Sequence, residues 1–258
     1  GTVQGMLDLH GLPYVGSGCA ASAVAMDKIR TREVLTAHGV PMAPAYVAAA
    51  PLCRAVPRGE AERIGATVGF PCFLKVDVSG SSLGVARAEG EADVAEFLRV
   101  APQLGRRFLA ERAVQGEEIS VPVLGNAGFD PEVLPPIGIY PRAARFFDHA
   151  AKYDPGATDE VVPPRGLDAA GITAVQQLAR TCHEVIGCDG LSRVDMMVTL
   201  DGPLVLEVNT MPGFTRESLY PKSAAAHGID YRTLLSRLID LALELAAHLP
   251  RRMEHSPS

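Results

Sequence analysis

The feature that most constrains the fold is a pair of apolar segments on either side of Asp201-Gly202. Residues 191–200 and 203–209 are rich in valine, leucine and methionine, and they carry charged or amide residues two positions apart. This alternation is typical of strands with one buried face, and Asp-Gly between two strands is typical of a hairpin turn. The sequence therefore predicts a β-hairpin with Asp201-Gly202 at its turn.

The hairpin carries four polar side chains at odd-numbered positions, namely Arg193, Asp195, Glu207 and Asn209. Side chains two residues apart on a strand lie on the same face. Two carboxylates among apolar neighbours need a counter-charge, and oxygen ligands of this kind suit Mg²⁺ or Mn²⁺. We therefore predict a metal site at Asp195, Glu207 and Asn209. Arg193 is either a structural counter-ion or a group that stabilises developing negative charge.

This metal site depends on the length of the hairpin connection. A plain two-residue turn at Asp201-Gly202 would set Asp195 opposite Val208, and the polar pairs of the two strands would lie on opposite faces. An odd-length connection or a one-residue bulge would set Asp195 opposite Asn209 and gather all the polar side chains on one face. We predict the odd connection, because a tight turn without a bulge would exclude the metal site.

The composition is typical of a globular protein with a substantial core, since 47% of the 258 residues are hydrophobic and 21% are charged. A net charge of -6 leaves no basic surface for nucleic acid, and no apolar run reaches the roughly 18 residues of a membrane span. Five cysteines without a Cys-x-x-Cys pair argue against a zinc cluster or a disulfide framework, and favour reduced thiols in the cytoplasm.

Strand and helix patterns alternate along the chain and some strands form hairpins, so we predict an α/β or α+β class with mixed sheets. A helix is predicted at residues 21–38, and another at 231–249 has a leucine stripe that we assign to the core. A change of composition at Gln115-Gly116 is the best internal boundary. Residues 142–158 predict a long loop, which is typical of a functional or disordered segment.

Two lysines are candidates for phosphate binding. Lys75 ends an apolar strand just before the small-residue loop Ser79-Gly80-Ser81-Ser82, whose backbone N–H groups can surround a phosphate. Lys28 lies early on a predicted helix and is the second candidate. The alternatives are an ordinary Gly-Ser turn and a solvated lysine, since short motifs often match by chance.

Other polar residues follow a buried strand or lie in the long loop. Glu111 and Glu118 flank the end of an apolar strand, where a carboxylate can accept hydrogen bonds from a purine amine or ribose hydroxyls. Lys152 and Tyr153, with His149, lie in the 142–158 segment and suggest a lid over a substrate. The alternatives are a charged strand end beside a turn and a solvated surface loop.

The exit of the hairpin, Met211-Pro212-Gly213-Phe214-Thr215, leads into a predicted helix. A helix N-terminus directly after carboxylate ligands can bind an oxyanion or a substrate carboxylate. Ser218 would face that position from the first turn, unless it merely caps the helix.

Taken in order, the motifs match a known family in sequence and spacing: Ala25-Met26-Asp27-Lys28, Lys75 with Gly80-Ser81-Ser82-Leu83-Gly84, Glu111, Gly116-Glu117-Glu118, Ala151-Lys152-Tyr153, Gly190-Leu191-Ser192-Arg193-Val194-Asp195, Glu207-Val208-Asn209-Thr210-Met211-Pro212-Gly213 and Ser218-Leu219-Tyr220-Pro221-Lys222. They resemble the D-alanine–D-alanine ligases of the ATP-grasp superfamily. The resemblance covers nearly the whole chain, and its most specific part is the hairpin with its Pro-Gly exit.

The resemblance implies an ATP-grasp fold of the α/β (α+β) class, in which two subdomains with mixed or antiparallel sheets clamp ATP. It places a remnant of an N-terminal substrate domain at residues 1–24, a central subdomain at 25–115, a C-terminal subdomain at 116–250 and a flexible tail at 251–258. The family's His-Gly and Gly-Glu-Asp-Gly motifs bind the first D-alanine. Because they are not in this sequence, we expect a chain that lacks most of the family's N-terminal domain.

The resemblance also implies the roles of individual residues. ATP would be bound at its phosphates by Lys28, Lys75 and Lys152, under a loop with Ser81 and Ser82, and at adenine and ribose by Glu111, Arg112, Val114 and Glu118. Two Mg²⁺ or Mn²⁺ ions would be bound by Asp195, Glu207 and Asn209. The catalytic groups would be Arg193, the Gly213 backbone, Ser81 and Tyr153, and the second D-alanine would be held by Ser218 and Leu219.

The implied activity is that of a carboxylate–amine ligase in peptidoglycan precursor synthesis. ATP phosphorylates one D-alanine, and the amine of a second D-alanine attacks the acyl phosphate. The resemblance also implies a homodimer in the cytoplasm with small-molecule substrates. Ala150 and Ser79 depart from the family, where glutamate is usual at these positions. Two alternatives therefore stay open: an ATP-grasp ligase for other amino acids, and a nucleotide-binding module that does not catalyse.

Overall fold

The protein is built on two β-sheets, in a computed structural model that describes residues 1–48, 59–77, 84–142 and 158–248. The α-helices in these ranges are α1 (Thr2–Leu9), α2 (Cys19–Met26), α3 (Lys28–Ala37), α4 (Glu60–Val68), α5 (Glu91–Val100), α6 (Ala169–Ile186), α7 (Leu219–Ala226) and α8 (Tyr231–His248). The strands are β1 (Ala45–Val47), β2 (Cys72–Val76), β3 (Val85–Ala88), β4 (Phe108–Arg112), β5 (Glu117–Leu124), β6 (Glu132–Val133), β7 (Ile137–Pro141), β8 (Thr158–Val161), β9 (Leu191–Thr199) and β10 (Gly202–Asn209).

The smaller sheet has four strands in the order β1-β4-β2-β3, and all its pairs are antiparallel. Successive side chains on a strand point to opposite faces, so one set faces α4 and α5. That set forms an apolar core, in which Leu74, Phe108 and Ala110 are at most 1% exposed. Lys75 and Glu111 belong to the other set, together with Phe73 and Leu109, so the second face of this sheet carries these charged side chains.

The larger sheet has six strands, in the order β10-β9-β5-β7-β8 with β6 paired to β5. Its apolar face packs on α2, α3 and α6, where Val121, Val194 and Met196 are fully buried. A separate cluster joins α7 and α8 to the same sheet. In that cluster Tyr220 is fully buried and its hydroxyl donates to the Val123 carbonyl at 2.8 Å.

A short segment after α3 contacts both sheets. The Pro41 carbonyl accepts from the Val205 N–H at 2.8 Å, on β10 of the larger sheet. Three residues later, the Pro44 carbonyl accepts from the Arg112 N–H at 2.9 Å, on β4 of the smaller sheet. Because so few residues separate the two contacts, the polar faces of the sheets lie near each other.

The predicted class is confirmed, since helices alternate with sheets built from antiparallel pairs. The prediction of one helix at residues 21–38 is wrong, because the helix breaks at Asp27. Its carboxylate accepts from the N–H groups of Ile29 and Arg30, both at 3.0 Å, and so caps a new helix. Lys28 is therefore the first residue of α3. Among the helices of the described ranges, none is both long and apolar enough to cross a bilayer.

Candidate active site

Two carboxylates face each other across the β9–β10 hairpin. Glu207 lies directly opposite Asp195, and Asn209 lies opposite Arg193. Directly opposed residues of an antiparallel pair point to the same side, so the four polar side chains share one face of the larger sheet. Apolar residues such as Val194 point to the other face and enter the core.

The hairpin turn lies one residue earlier than predicted. Leu200 and Asp201 form the turn, and Gly202 already pairs with Thr199 as the first residue of β10. The backbone at Gly202 has a φ of 119°, which glycine adopts without a steric penalty. The Asp-Gly pair thus predicted the hairpin at the right place in the chain, but the glycine is the first residue of β10 and not part of the turn.

A one-residue bulge in β10 brings the polar side chains to one face. Val205 and Glu207 both pair with β9, and the register shifts between them because Leu206 is an extra residue. With regular pairing after this turn, Glu207 would point into the core. The predicted odd-length connection is wrong, because Leu200 and Asp201 form a two-residue turn, and the bulge that was the alternative brings the polar side chains to one face. The predicted register is wrong by two residues, because Asp195 lies opposite Glu207 and not opposite Asn209.

Asp195 is 7% exposed and is held from two strands. Arg193 donates from Nε to Oδ1 at 2.8 Å and from Nη2 to Oδ2 at 2.7 Å. The Ser120 hydroxyl, on β5, donates to Oδ1 at 2.5 Å. Hydrogen bonds to an ionised carboxylate are short and strong, so this arrangement fixes both the position and the plane of the Asp195 carboxylate.

Three carboxylates act on Arg193. Burial alone lowers the pKa of Arg193, but Asp195, Glu207 and Glu118 outweigh burial and raise that pKa above its usual range. The guanidinium is therefore charged at any working pH. Asp195, Glu207 and Glu118 thus gather around one arginine, and a cation bound at this face would neutralise part of their charge.

The oxygen donors of this face fit a small divalent cation. In the described part of the chain, no cluster of three or more His, Cys, Asp or Glu side chains can hold a metal, so a site here must combine two carboxylates with an amide. Asp195, Glu207 and Asn209 provide that combination, which suits Mg²⁺ or Mn²⁺. The Asn209 amide oxygen accepts from the Met211 N–H at 3.1 Å, which fixes the plane of the amide.

Lys28 stands between the two sheets. Its backbone N–H donates to the Asp77 carbonyl at 2.9 Å, next to the end of β2. The pKa of Lys28 lies below its usual value, mainly because the group is buried. Glu207 and Glu111 act in the opposite direction and raise this pKa, whereas Lys75 lowers it further. Glu207 belongs to the larger sheet and the other two to the smaller one. The ammonium group of Lys28 is therefore placed at the junction of the two polar faces.

Glu111 is the centre of a buried ion-pair network. It is 7% exposed; Oε2 pairs with Lys75 Nζ, and Oε1 pairs with Arg32 Nη1 at 2.8 Å. Arg32 also donates to the Ala43 carbonyl. Both carboxylate oxygens of Glu111 are thus engaged within the protein, and the network ties α3 to the smaller sheet.

Arg112 follows Glu111 on β4, and its side chain lies on the opposite, helix-covered face. There its Nε donates to the Val68 carbonyl at 2.9 Å, at the end of α4. A ligand on the face that carries Lys75 would therefore meet Arg112 through its backbone and not through its guanidinium.

Val114 and Glu118 lie on either side of the connection from β4 to β5, and both are half-buried. Glu118 is paired with Met197 and so lies on the face of Asp195. Gly116, between them, approaches the Val198 backbone closely, since a Cβ there would lie 2.2 Å from the Val198 carbonyl oxygen. This connection therefore brings the smaller sheet up to the β9–β10 hairpin.

The exit of the hairpin places Gly213 beside Ser218. Ser218 occupies the N-cap position of α7, but its hydroxyl contacts Thr215, at 3.1 Å from the backbone N and 2.9 Å from Oγ1. A Cβ at Gly213 would lie 3.2 Å from Ser218 Oγ, so the glycine keeps the space beside that hydroxyl open. Leu219 is half-buried as the first residue of α7.

Four residues with predicted roles lie outside the described residues: Ser81, Ser82, Lys152 and Tyr153. Their roles stay predictions. Sequence reasoning missed two residues that the structure brings to the site, Ser120 and Arg32. Ser120 follows Glu118 by two positions on a strand, and the same-face rule applied to β5 would have found it. Arg32 had no comparable signal, because its partner Glu111 is 79 residues away.

Sequence comparisons show which proteins this chain is similar to. The family model for the D-Ala–D-Ala ligase C-terminus matches residues 34–240. A D-alanine–D-alanine ligase of Syntrophobacter fumaroxidans is 42% identical over 246 residues, which cover 95% of this chain and 76% of the relative. A D-alanine–D-alanine ligase of Mycobacterium tuberculosis is 40% identical over 248 residues, which cover 94% of this chain and 65% of the relative.

Solved structures show the same fold. A crystal structure of the D-alanine–D-alanine ligase from Bacillus anthracis in complex with ATP has a TM-score of 0.80 at 30% identity, and covers 97% of this chain and 77% of that chain. The ligase from Coxiella burnetii has a TM-score of 0.80 at 30% identity, and covers 96% of this chain and 66% of that chain. The sequence and structural matches lead to one conclusion: this chain belongs to the D-alanine–D-alanine ligase family.

Proposed function

We propose that this chain catalyses the ATP-dependent joining of two D-alanine molecules. The observation that carries the proposal is the opposed pair of carboxylates, Asp195 and Glu207, with Arg193 beside them and with Lys28, at the start of α3, near Glu207. Transfer of a phosphoryl group needs cations around the phosphates and in-line positioning, and there is little other chemistry for the protein to supply. This site combines negative groups for a metal with positive groups for phosphates.

In the proposed reaction, a carboxylate oxygen of the first D-alanine attacks the γ-phosphorus of ATP, and the bond to the β–γ bridging oxygen breaks to release ADP. The amine of the second D-alanine then attacks the acyl carbon. The tetrahedral intermediate expels phosphate, and the nitrogen loses a proton. The products are D-alanyl-D-alanine, ADP and phosphate. Negative charge builds first on the transferred phosphoryl group and then on the former carbonyl oxygen.

The described residues assigned to ATP come from α3, from the smaller sheet and its connection to β5, and from the start of β5 in the larger sheet. Lys28 and Lys75 would neutralise the phosphates, and Glu111 holds Lys75 in place by the ion pair between them. The chain from Glu111 to Glu118 would line adenine and ribose, with the backbone at Arg112 and Val114 and the carboxylate of Glu118 as contact groups. We assign Ser81, Ser82 and Lys152, outside the described residues, to the segments that would cover the phosphates.

Bound Mg²⁺ or Mn²⁺ would neutralise phosphate charge, and Asp195, Glu207 and Asn209 are the residues that would hold it. Arg193 would also have a catalytic role, in addition to its ion pair with Asp195. Its guanidinium is charged and is held in a fixed plane, so it can stabilise the negative charge that develops on the phosphoryl group and the tetrahedral intermediate.

The second D-alanine would lie at the start of α7. The Gly213 N–H would donate to the developing oxyanion, and the Ser218 hydroxyl, with Leu219 beside it, would hold the substrate carboxylate. The N-terminal end of a helix favours an anion at this place. Tyr153, outside the described residues, is assigned as a catalytic group.

Other parts of the proposal rest on family membership. They are a role in peptidoglycan precursor synthesis, a location in the cytoplasm and a homodimer. The division into a central subdomain at residues 25–115 and a C-terminal subdomain at 116–250 is also a proposal. It is supported by the change from the smaller to the larger sheet between β4 and β5.

The test is phosphate release from Mg-ATP with D-alanine, with L-alanine and without an amino acid, together with mass spectrometry of the product. We expect D-alanine to raise phosphate release and to yield an equimolar amount of dipeptide. Turnover with another amino acid but not with D-alanine would favour a ligase of different specificity. ATP binding without turnover with any amino acid would contradict the ligase proposal and favour a nucleotide-binding module.

A further inference from the structure

The two lysines assigned to the ATP phosphates belong to different elements of the fold. Lys28 is the first residue of α3, and Lys75 lies near the end of β2 in the smaller sheet. Burial is the main cause that lowers the pKa of Lys28, and the positive charge of Lys75 lowers it further, so the two ammonium groups are within electrostatic reach of each other. Like charges repel, so a site that uses both lysines needs a counter-charge and a fixed distance between α3 and the sheet.

Glu111 provides the counter-charge. It lies opposite Phe73, two residues from Lys75, so Lys75 is its diagonal neighbour on the same face of the sheet. Its Oε2 forms the ion pair with Lys75 Nζ. Its charge also raises the pKa of Lys28, against the larger lowering by burial. One carboxylate therefore attracts both lysines.

Arg32 restrains this carboxylate from α3. Its Nη1 donates to Glu111 Oε1 at 2.8 Å, and its Nη2 donates to the Ala43 carbonyl. The Arg32 side chain is 13% exposed. A planar guanidinium whose two ends donate to two separate acceptors has a fixed orientation. Arg32 therefore holds Glu111 in a defined position relative to α3 and to the segment that follows it.

The place of Arg32 on α3 links it to Lys28. The two residues are four positions apart, so they lie on the same side of the helix, one turn from each other. At the first turn the Lys28 N–H donates to the Asp77 carbonyl at 2.9 Å, and at the second turn Arg32 contacts Glu111. The second of these contacts connects the helix of Lys28 with the carboxylate that pairs with Lys75.

We propose that Arg32 is a positioning residue for ATP binding, which acts through its ion pair with Glu111 to fix the separation of Lys28 and Lys75. This inference rests on the proposed function, because it takes these two lysines as the phosphate-binding groups. It adds a residue that is assigned no contact with the nucleotide, and the route by which that residue acts. Without Arg32, the two lysines are less well organised before binding, and part of the binding free energy is spent on ordering them.

The test is the Kd for a non-hydrolysable ATP analogue with Mg²⁺, measured by titration calorimetry. Residues in contact commonly couple by 0.5–3 kcal/mol, so we expect Arg32→Met to raise this Kd by about tenfold. Arg32→Lys keeps the charge beside Glu111 but not the planar fork, and should restore the Kd to within about threefold of wild type. In turnover, Arg32→Met should raise KM for ATP by about tenfold and change kcat at saturating ATP and KM for D-alanine by less than about twofold.

A matched control is Arg30→Met. Arg30 lies on the same helix and pairs with Glu33 at 2.5 Å, but both side chains are largely exposed. The change in net charge is the same, and the Kd for the nucleotide analogue should equal that of wild type. An unchanged Kd in Arg32→Met, or an equal rise in Arg30→Met, would overturn the proposal.

A double-mutant cycle tests the route through Glu111. In a Glu111→Gln background the ion pair is already lost, so adding Arg32→Met should raise the Kd by less than about threefold. The same tenfold rise in both backgrounds would contradict an action through Glu111. The urea midpoint shows which variants fold. Should Arg32→Met not fold, Arg32→Lys replaces it in both backgrounds, and its smaller rise in Kd must likewise disappear in Glu111→Gln.

The experiment separates this inference from the proposed function. If the wild-type protein forms the dipeptide and Arg32→Met binds the nucleotide analogue normally, the role of Arg32 is wrong and the function stands. If the wild-type protein binds the analogue and Arg32→Met weakens that binding, but D-alanine is never joined, the function is wrong and the role of Arg32 stands.

Discussion

Glu207 lies directly opposite Asp195, and it does so because Leu206 is an extra residue in β10. The bulge lets two residues three positions apart, Val205 and Val208, both enter the core, while Glu207 between them points to the polar face. Burial of the two valines therefore stabilises the same register that presents the carboxylate. Stability and the geometry of the site are supported by one local irregularity.

This relationship makes Glu207 the residue to test first. Glu207→Gln keeps the size of the side chain and removes one of the two facing carboxylates. A metal ion contributes several kcal/mol to charge stabilisation, so we expect ligase turnover to fall by about 100-fold or more. The Kd for Mn²⁺ with a nucleotide analogue should rise in parallel. The measurements are steady-state kinetics and paramagnetic resonance.

The control for this variant is Glu217→Gln, since the Glu217 side chain is 88% exposed and its substitution changes the net charge equally. Both variants should keep the wild-type free energy of unfolding to within about 0.5 kcal/mol. Turnover of Glu207→Gln close to that of wild type would rule out Glu207 as a metal ligand.

The ion pairs of Glu111 predict an effect on stability. Glu111→Gln leaves the positive charges of Lys75 and Arg32, which are 18% and 13% exposed, without their common partner. Removing one partner of a buried pair costs about 3–5 kcal/mol, and discounting for partial exposure we expect about 2–3 kcal/mol in urea unfolding. Glu96→Gln breaks a fully exposed pair with Arg99 and should leave the urea midpoint close to that of wild type. Equal effects in the two variants would contradict the buried network.

The close approach of Gly213 and Ser218 predicts a kinetic effect. Gly213→Ala places a methyl group 3.2 Å from Ser218 Oγ, so the hydroxyl must shift slightly from the position in which it would hold the substrate carboxylate. Small displacements of positioning groups are costly, and we expect KM for the second D-alanine to rise by about tenfold. In Gly90→Ala the new methyl group meets no heavy atom within 4 Å, so its kinetics should match wild type. An unchanged KM in Gly213→Ala would exclude this substrate position.

Acid should destabilise the protein through His183. This residue is 0% exposed, and burial lowers its pKa from 6.5 to about 4. As the pH falls below 6.5, the unfolded chain takes up a proton at His183 while the folded chain does not. Stability that is fully present above pH 6.5 is therefore lost progressively down to about pH 4. Between pH 7 and about pH 5 the loss should be about 2 kcal/mol.

The check is urea unfolding of wild type and His183→Gln at both pH values. The variant cannot take up this proton, so its loss between the two pH values should be smaller by about 2 kcal/mol. His10→Gln, at an exposed position, should behave like wild type. The same pH dependence in His183→Gln and wild type would refute the assignment.

The hairpin shows how far sequence reasoning reaches. Alternation predicted two strands, and the odd positions of Asp195 and Glu207 predicted a shared face on condition of a bulge or an odd connection. The turn was placed one residue late, because Asp-Gly is compatible with a glycine inside the turn and with one just after it. The place of the bulge depends on which valines reach the core, and the core is formed by α3 and α6, far away in sequence.

The smaller sheet shows where local reasoning ends. The sequence marked Lys75 and Glu111 as separate candidates, one for phosphate and one for the base. The structure joins them in an ion pair and adds Arg32, because β2 and β4 are neighbours and α3 packs beside them. The residues were identified by their types, but their partners depend on strand order, which no local pattern contains.

The sequence by itself determined which charged and oxygen-bearing side chains the site contains, and which of them lie on the same face of a strand. The reason is that side-chain alternation is a property of each strand alone. The tertiary structure decided that Glu207 faces Asp195, that Ser120 donates to Asp195 and that Lys28, at the start of α3, interacts with the charge of Glu207. Those relationships come from pairing and packing between segments far apart in the chain.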